Sequence, residues 1–163
     1  ANRNDAHHQT ATSPDGRGPY EAMQLALQRA GLETGALDHI NAHGTGTQAN
    51  DRTETAAIRV VFGARAEQIP ISATKAMHGH LLGAAGALEC VLSLLAMQHE
   101  IALPTMHLQL PDPEYNLDYV PNAAREHVAA QVMMSNSFAF GGTNAVLVLR
   151  RAGRETPGGL RSH

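Results

Sequence analysis

The sequence predicts an α/β fold: a mixed sheet layered against helices, one of them buried. Three observations carry this. Up to His99, helical and strand-like stretches alternate in the order helix, strand, helix, strand, helix, and a strand pair follows. The strands are short and apolar, and each runs into a polar or glycine-rich turn. The segment from Gly83 to about His99 is apolar nearly all round, the pattern of a helix covered on more than one side.

Taken in order, residues 1–16 read as a lead-in segment, with a turn at Thr12-Ser13-Pro14-Asp15-Gly16. A helix follows from about Tyr20 to Ala30. Ala22, Leu25, Ala26 and Ala30, flanked by Met23 and Leu27, recur at helical spacing, and Gly31 stops it. Asp38 to His43 reads as a short strand. Asn50 or Asp51 can cap the next helix, which runs to about Phe62 before Gly63 with Ala57, Ile58, Val61 and Phe62 facing inward. Gln68 to Ser72 is a second short strand. The apolar helix opens on Gly83-Ala84-Ala85-Gly86-Ala87, small residues that let another backbone come close. Residues 103–118 form a proline-bearing loop, and strands at about Gln131–Asn136 and Asn144–Leu149 close the fold. The domain is expected over residues 1–150, with 151–163 a polar, glycine-rich, disordered tail.

Composition narrows the function. The chain of 163 residues is 43% hydrophobic, enough for one domain with a substantial core. A net charge of -3 argues against a general nucleic-acid binder. Cys90 is the single cysteine, which rules out an internal disulfide and fits a reducing cytoplasm. No run of about 18 apolar residues is free of polar interruption, so no membrane span is expected. The start, Ala-Asn-Arg-Asn-Asp, lacks the basic-then-apolar pattern of a signal peptide. Of the twelve basic residues only Lys75 is a lysine.

Three turns carry candidate chemistry. The first is Asn41-Ala42-His43-Gly44-Thr45-Gly46-Thr47, where small residues leave room for His43 to point into a cleft and the hydroxyls of Thr45 and Thr47 can hydrogen-bond. A structural histidine at a turn is the plainer alternative. The second is Lys75-Ala76-Met77-His78-Gly79-His80, just before the apolar helix. Burial and a helix N-terminus would both favour the neutral imidazole at His80, able to donate to a carbonyl; a capping histidine is the alternative. Glu89 lies within the apolar helix, where a carboxylate is costly unless paired, and Lys75 is its natural partner. The third is Phe138-Ala139-Phe140-Gly141-Gly142-Thr143-Asn144. Its glycines permit a tight turn whose backbone N–H could serve as half of an oxyanion hole; an ordinary hairpin is the alternative.

Together these motifs resemble the C-terminal half of an elongating β-ketoacyl-acyl carrier protein synthase, a condensing enzyme of the thiolase fold, from about Asp5 to Leu149. The resemblance implies the C-terminal half of a layered αβαβα architecture. It implies that His43 and His80 are the two active-site histidines, and that Lys75 and Glu89 are the family's lysine and glutamate. Phe140 would gate the acyl site and lend its N–H to the oxyanion hole, beside Phe138 and Gly141, with Thr45, Thr47 and Asn144 supporting. The wording around Lys75 is closer to free-standing fatty-acid synthases than to modular polyketide domains. His78 stands where the family usually has threonine, and Ala139 where it has glycine. The family's nucleophilic cysteine belongs to the N-terminal half. Cys90, in mid-helix and away from any dipole end, reads as a small hydrophobe rather than a nucleophile.

The resemblance implies acyl transfer and decarboxylative Claisen condensation in fatty-acid biosynthesis, without a cofactor or metal. The partners implied are an acyl carrier protein bearing acyl and malonyl groups and the N-terminal half of the synthase, in a homodimer. The isolated chain is expected to be inactive and to leave apolar surface bare around residues 84–97. The alternatives are a polyketide-type synthase or its non-catalytic chain-length partner, and a metal module built on His78, His80, His7 and His8. Arg52 and Arg59, two turns apart on one helix, could meet an acidic carrier protein or simply form a solvated face.

Overall fold

The computed structural model describes residues 1–8, 13–109 and 112–152. Thr12 of the predicted turn and all but the first two residues of the predicted tail lie outside the described residues. The strands are β1 (Asn2–Asn4), β2 (His39–Asn41), β3 (Ile71–Ser72), β4 (Val132–Ala139) and β5 (Thr143–Arg150). The helices are α1 (Arg17–Ala30), α2 (Gln48–Phe62), α3 (Lys75–His78) and α4 (Ala85–His99). One sheet takes all five strands in the order β1-β5-β4-β2-β3. β2 is parallel to β3 and β4, and β5 is antiparallel to β4 and β1, so the sheet is mixed as predicted.

The two faces of the sheet differ in chemistry. Val132, Met134 and Phe138 of β4 pack with Ile40, with Ala22, Met23, Ala26 and Leu27 of α1, and with Ala57, Ile58 and Val61 of α2. Met133, one residue along the pleat, turns the other way onto Ala96 and Met97 of α4. His39 and Asn41 are in register with Met133 and Ser135, which places them on the α4 side. That interlayer is polar: His39, Asn41, Ser72, Ser135, Glu89 and Ser93 are all buried. The α1–α2 side is thus mainly apolar, and the α4 side combines a small apolar cluster with buried polar groups that need partners.

Local chemistry explains where the boundaries depart from expectation. α1 starts at Arg17 because Gly16, left-handed at φ 67°, turns the chain there. α2 is capped by Thr47, whose hydroxyl accepts from Asn50 N at 3.3 Å. The predicted caps Asn50 and Asp51 lie inside the helix. β3 is only two residues long because residues 63–68 wind as a 3-10 helix. β1 had no sequence signal: its three exposed residues join β5 through backbone pairing alone. α4 begins at Ala85, after a 3-10 turn at Leu82–Ala84.

α4 is covered on one side rather than several. Ala85, Glu89, Ser93, Ala96 and Met97 are buried, while Val91, Leu94 and Leu95 are about half exposed and Leu82 is 74% exposed. Cys90 is half-buried, not enclosed. By length and composition Leu82–His99 could cross a bilayer, with a mean hydropathy of 1.3, contrary to the reading from polar interruptions. In the fold it lays one face on the sheet, and its one carboxylate, Glu89, is ion-paired to Lys75.

Candidate active site

His43 follows β2 into the loop that leads to α2. Its side chain is buried, with the Phe138 ring 5.5 Å away and the His80 ring 5.7 Å away, edge-on at 83°. Both imidazoles line one cavity of about 650 Å³ together with Thr45, Thr47, Lys75, Phe138 and Phe140. Seven of the predicted residues are therefore brought together around one void.

Backbone contacts fix the His43 loop. Glu54 of α2, fully enclosed, accepts from His43 N at 2.8 Å and Gly44 N at 3.0 Å. Its oxygens also take the amide groups of Asn136 at 3.1 Å and Asn50 at 3.3 Å. Four donors hold this carboxylate, and burial pushes its pKa up against them. Glu54 was not among the predicted residues. The signal was present: it stands one turn before Ala57 and Ile58 and two before Val61, a carboxylate on the inward stripe of an amphipathic helix. Gly44 is required by space as well as by conformation. At φ 48°, a Cβ there would lie 2.6 Å from that of Ala73.

On the other side, Lys75 Nζ donates to the His43 carbonyl at 2.6 Å and to Glu89 Oε1. The side chains of this ion pair are 4% and 0% exposed. Burial raises the Glu89 pKa, and Lys75 opposes that rise. Burial, reinforced by the charges of Lys75 and His80, lowers His43 to about 3, so this imidazole is neutral at physiological pH.

His80 differs from expectation. It is exposed and sits in the loop between α3 and the 3-10 turn, ahead of the first residue of α4. A local hydrogen bond fixes its tautomer. Leu82 N–H donates to His80 Nδ1 at 3.1 Å, which leaves the ring proton on Nε2 when the imidazole is neutral.

The third turn is built from a 3-10 segment at Phe140–Gly142, in which Gly141 and Gly142 have φ of 74° and 73°. Phe140 is 72% exposed at the rim of the cavity. Gly141 and Asn144 shape the turn without lining the cavity: Asn144 donates to Gly142 O at 2.9 Å, and Asn4 donates to Gly141 O at 2.7 Å. Among the described residues, no three His, Cys, Asp or Glu side chains gather as metal ligands. Arg59 is engaged with Glu67 and Asn116, while Arg52 is exposed.

A mixed sheet brings two imidazoles, a buried lysine and a glycine turn around one cavity, in a fold of the thiolase-like class. Residues 1–109 match the family model for the C-terminal domain of beta-ketoacyl synthase, and the chain belongs to that family. The chain is 51% identical over 147 residues to 3-oxoacyl-(acyl-carrier-protein) synthase 2 of Rhizobium meliloti, covering 90% of this chain and 34% of that protein. It is 50% identical over 139 residues to nodulation protein E of a Rhizobium species, covering 85% and 34%. Among solved structures, a beta-ketoacyl synthase from Burkholderia phymatum is 40% identical with a TM-score of 0.86, over 93% of this chain and 36% of that one. A ketosynthase solved in complex with its type II PKS acyl-carrier protein has a TM-score of 0.90 at 35% identity, over 94% and 37%. The chain thus spans about a third of the length of the curated relatives it matches.

Proposed function

We propose that this chain is the C-terminal part of a 3-oxoacyl-acyl carrier protein synthase that elongates acyl thioesters by decarboxylative condensation in fatty-acid biosynthesis. The observation that carries the reading is the pair of imidazoles 5.7 Å apart on one cavity beside Phe140. In the proposed cycle an acyl group sits on a cysteine supplied by the rest of the synthase. The malonyl thioester enters, and its carbonyl oxygen accepts N–H hydrogen bonds from His43 and His80. Loss of CO₂ leaves an enolate whose charge those two donors stabilise. The enolate carbon attacks the acyl-cysteine carbonyl, the Phe140 N–H helps hold the tetrahedral oxyanion, and collapse expels the cysteine thiolate. Lys75 and Glu89 act by holding the His43 loop, and Thr45 and Thr47 offer hydroxyls to the arm of the carrier.

The proposed partners are an acyl carrier protein, the N-terminal portion of the synthase and a second copy of the whole enzyme, in the cytoplasm. The bare flank of α4 around Val91, Leu94 and Leu95 is the surface that the N-terminal portion would cover. We further propose residues 1–150 as the structural domain, with the remainder a tail. The structural likeness to polyketide ketosynthases favours a second reading, service in polyketide assembly.

The test uses the full-length protein with malonyl- and acyl-carrier protein. A 3-oxoacyl product longer by two carbons is expected, with H43A and H80A each slower by about 10²-fold or more. A saturated-chain product series supports fatty-acid service, and a poly-keto product the second reading. Carbon–carbon bond formation by the pure 163-residue chain would refute the proposed division of labour.

A further inference from the structure

We propose that Tyr119 is a positioning residue of this site: its hydroxyl ties α2 to the segment paired with β3, and so sets where Glu54 holds the His43 loop. The tie stands on geometry, while its kinetic consequence rests on the function proposed above. Tyr119 OH and Thr55 Oγ1 lie 2.6 Å apart. Thr55 is buried on α2, directly after Glu54, and Tyr119 is half-buried against the apolar core. Burial pushes the Tyr119 pKa up to about 12, so the phenol keeps its proton across the physiological range.

The main chain anchors Tyr119 on both sides. Asp118 O accepts from Ile71 N of β3 at 2.7 Å, and Val120 O accepts from Thr105 N at 2.8 Å. Thr105 Oγ1 in turn accepts from Ala73 N at 3.0 Å, two residues before Lys75. These bonds complete a ring. Glu54 of α2 holds His43 by its N–H, and Lys75 of α3 holds it by its carbonyl. The Thr55–Tyr119 bond joins α2 back to the residues that lead into Lys75.

Glu54, Thr55, Ile71, Lys75, Thr105 and Tyr119, all members of the ring, line one cavity of about 410 Å³. Open space parts the two arms there, so close packing does not set their spacing at that level. A hydrogen bond between hydroxyls does, because it fixes both a distance and a direction. Without the Tyr119 hydroxyl, α2 settles on its remaining contacts. Glu54 moves with Thr55, its neighbour on the helix, and its bonds to His43 N and Gly44 N lengthen or bend. The His43 ring then loses its alignment on the substrate cavity.

The experiment compares full-length wild type with Y119F, T55V, the double variant Y119F/T55V and T55S in malonyl decarboxylation. Y119F and T55V should each lower kcat about threefold or more, while KM for the malonyl-carrier protein stays within about twofold. The double variant should be no slower than the singles, because all three remove the same bond. T55S keeps a hydroxyl and should recover most of the loss. A second readout does not depend on activity. Amide hydrogen exchange of the full-length protein should quicken about two- to tenfold over residues 41–47 in Y119F, while residues 22–30 of α1 exchange as in wild type. Unchanged exchange over 41–47 overturns the tie. Exchange that quickens in α1 as well marks a merely structural residue and overturns the positioning role, as does local quickening with kcat unchanged. If the full-length protein decarboxylates no malonyl thioester, the proposed function fails while the exchange data still decide the tie.

Discussion

Replacing Lys75 with methionine tests the energetics of the layer under α4. The substitution leaves Glu89, 0% exposed, without its cation and the His43 carbonyl without its donor. Breaking a buried ion pair from one side costs about 3–5 kcal/mol, because the remaining charge stays in a dry site. E89L strands the ammonium and should cost a similar amount. The double variant K75M/E89L removes both charges and refills the space with apolar atoms, a change that is often near neutral. It still forfeits the hydrogen bond to His43 O, about 1–3 kcal/mol with a buried acceptor left bare. The double variant should therefore fall short of the sum of the singles by at least about 3 kcal/mol. The assay is urea unfolding of the full-length protein and its variants. Acid should partly rescue K75M: with its carboxyl pKa raised, Glu89 favours the folded state below the ordinary carboxylate range and disfavours it as pH rises. Additive losses within about 0.5 kcal/mol, or a K75M cost that does not vary with pH, would refute this reasoning.

Three further outcomes are expected. E54A leaves two backbone N–H groups and two side-chain amides facing an empty site, so it should destabilise by about 2–4 kcal/mol in the same unfolding assay and slow decarboxylation. G44A puts a Cβ 2.6 Å from that of Ala73 at a left-handed φ; a loss of about 2–4 kcal/mol is expected, and a crystal structure should show the His43 ring displaced. His39 is lowered by burial to about 4, so between pH 6.5 and 4 the unfolded state binds the proton that the folded state refuses, and stability falls as pH falls. H39Q should remove up to about 1.4 kcal/mol per pH unit of that slope, read from unfolding midpoints across the window.

Features written in residue type were legible, and features written in backbone geometry were not. A lone lysine beside a carboxylate in an apolar helix announced the Lys75–Glu89 pair, because a buried charge has few other solutions. The glycine turns announced the loops around His43 and Phe140. The cap of α2 was misplaced because Thr47, Asn50 and Asp51 are all competent caps, and only the path of the chain selects Thr47. β1 was missed because Asn-Arg-Asn has no apolar alternation and its pairing uses main chain alone. The burial of His80 was overestimated because helix start and helix approach look alike in sequence: the apolar segment is read from Gly83, but Leu82–Ala84 wind as a 3-10 turn and the α-helix begins only at Ala85. Glu54 was legible and passed over, a polar residue on an inward stripe.

The proton positions give the arrangement its chemical direction. Leu82 N–H consumes the Nδ1 lone pair of His80, so a neutral His80 has Nε2–H to offer. In His43 it is Nδ1 that is buried without a partner among the described residues. An unpartnered lone pair on that side costs less than an unpartnered N–H, so the proton belongs on Nε2 there as well. Two N–H donors on one cavity suit an oxygen that gains negative charge. They do not suit abstraction of a proton, for which at least one nitrogen would have to present a lone pair. With His43 lowered to about 3, its form is constant across the physiological range. Burial and the charges of Lys75 and His80 keep His43 neutral, and the Leu82 amide sets the His80 tautomer, all within this chain. On the proposed reading, enolate stabilisation is therefore prepared before substrate arrives, as transition-state complementarity requires.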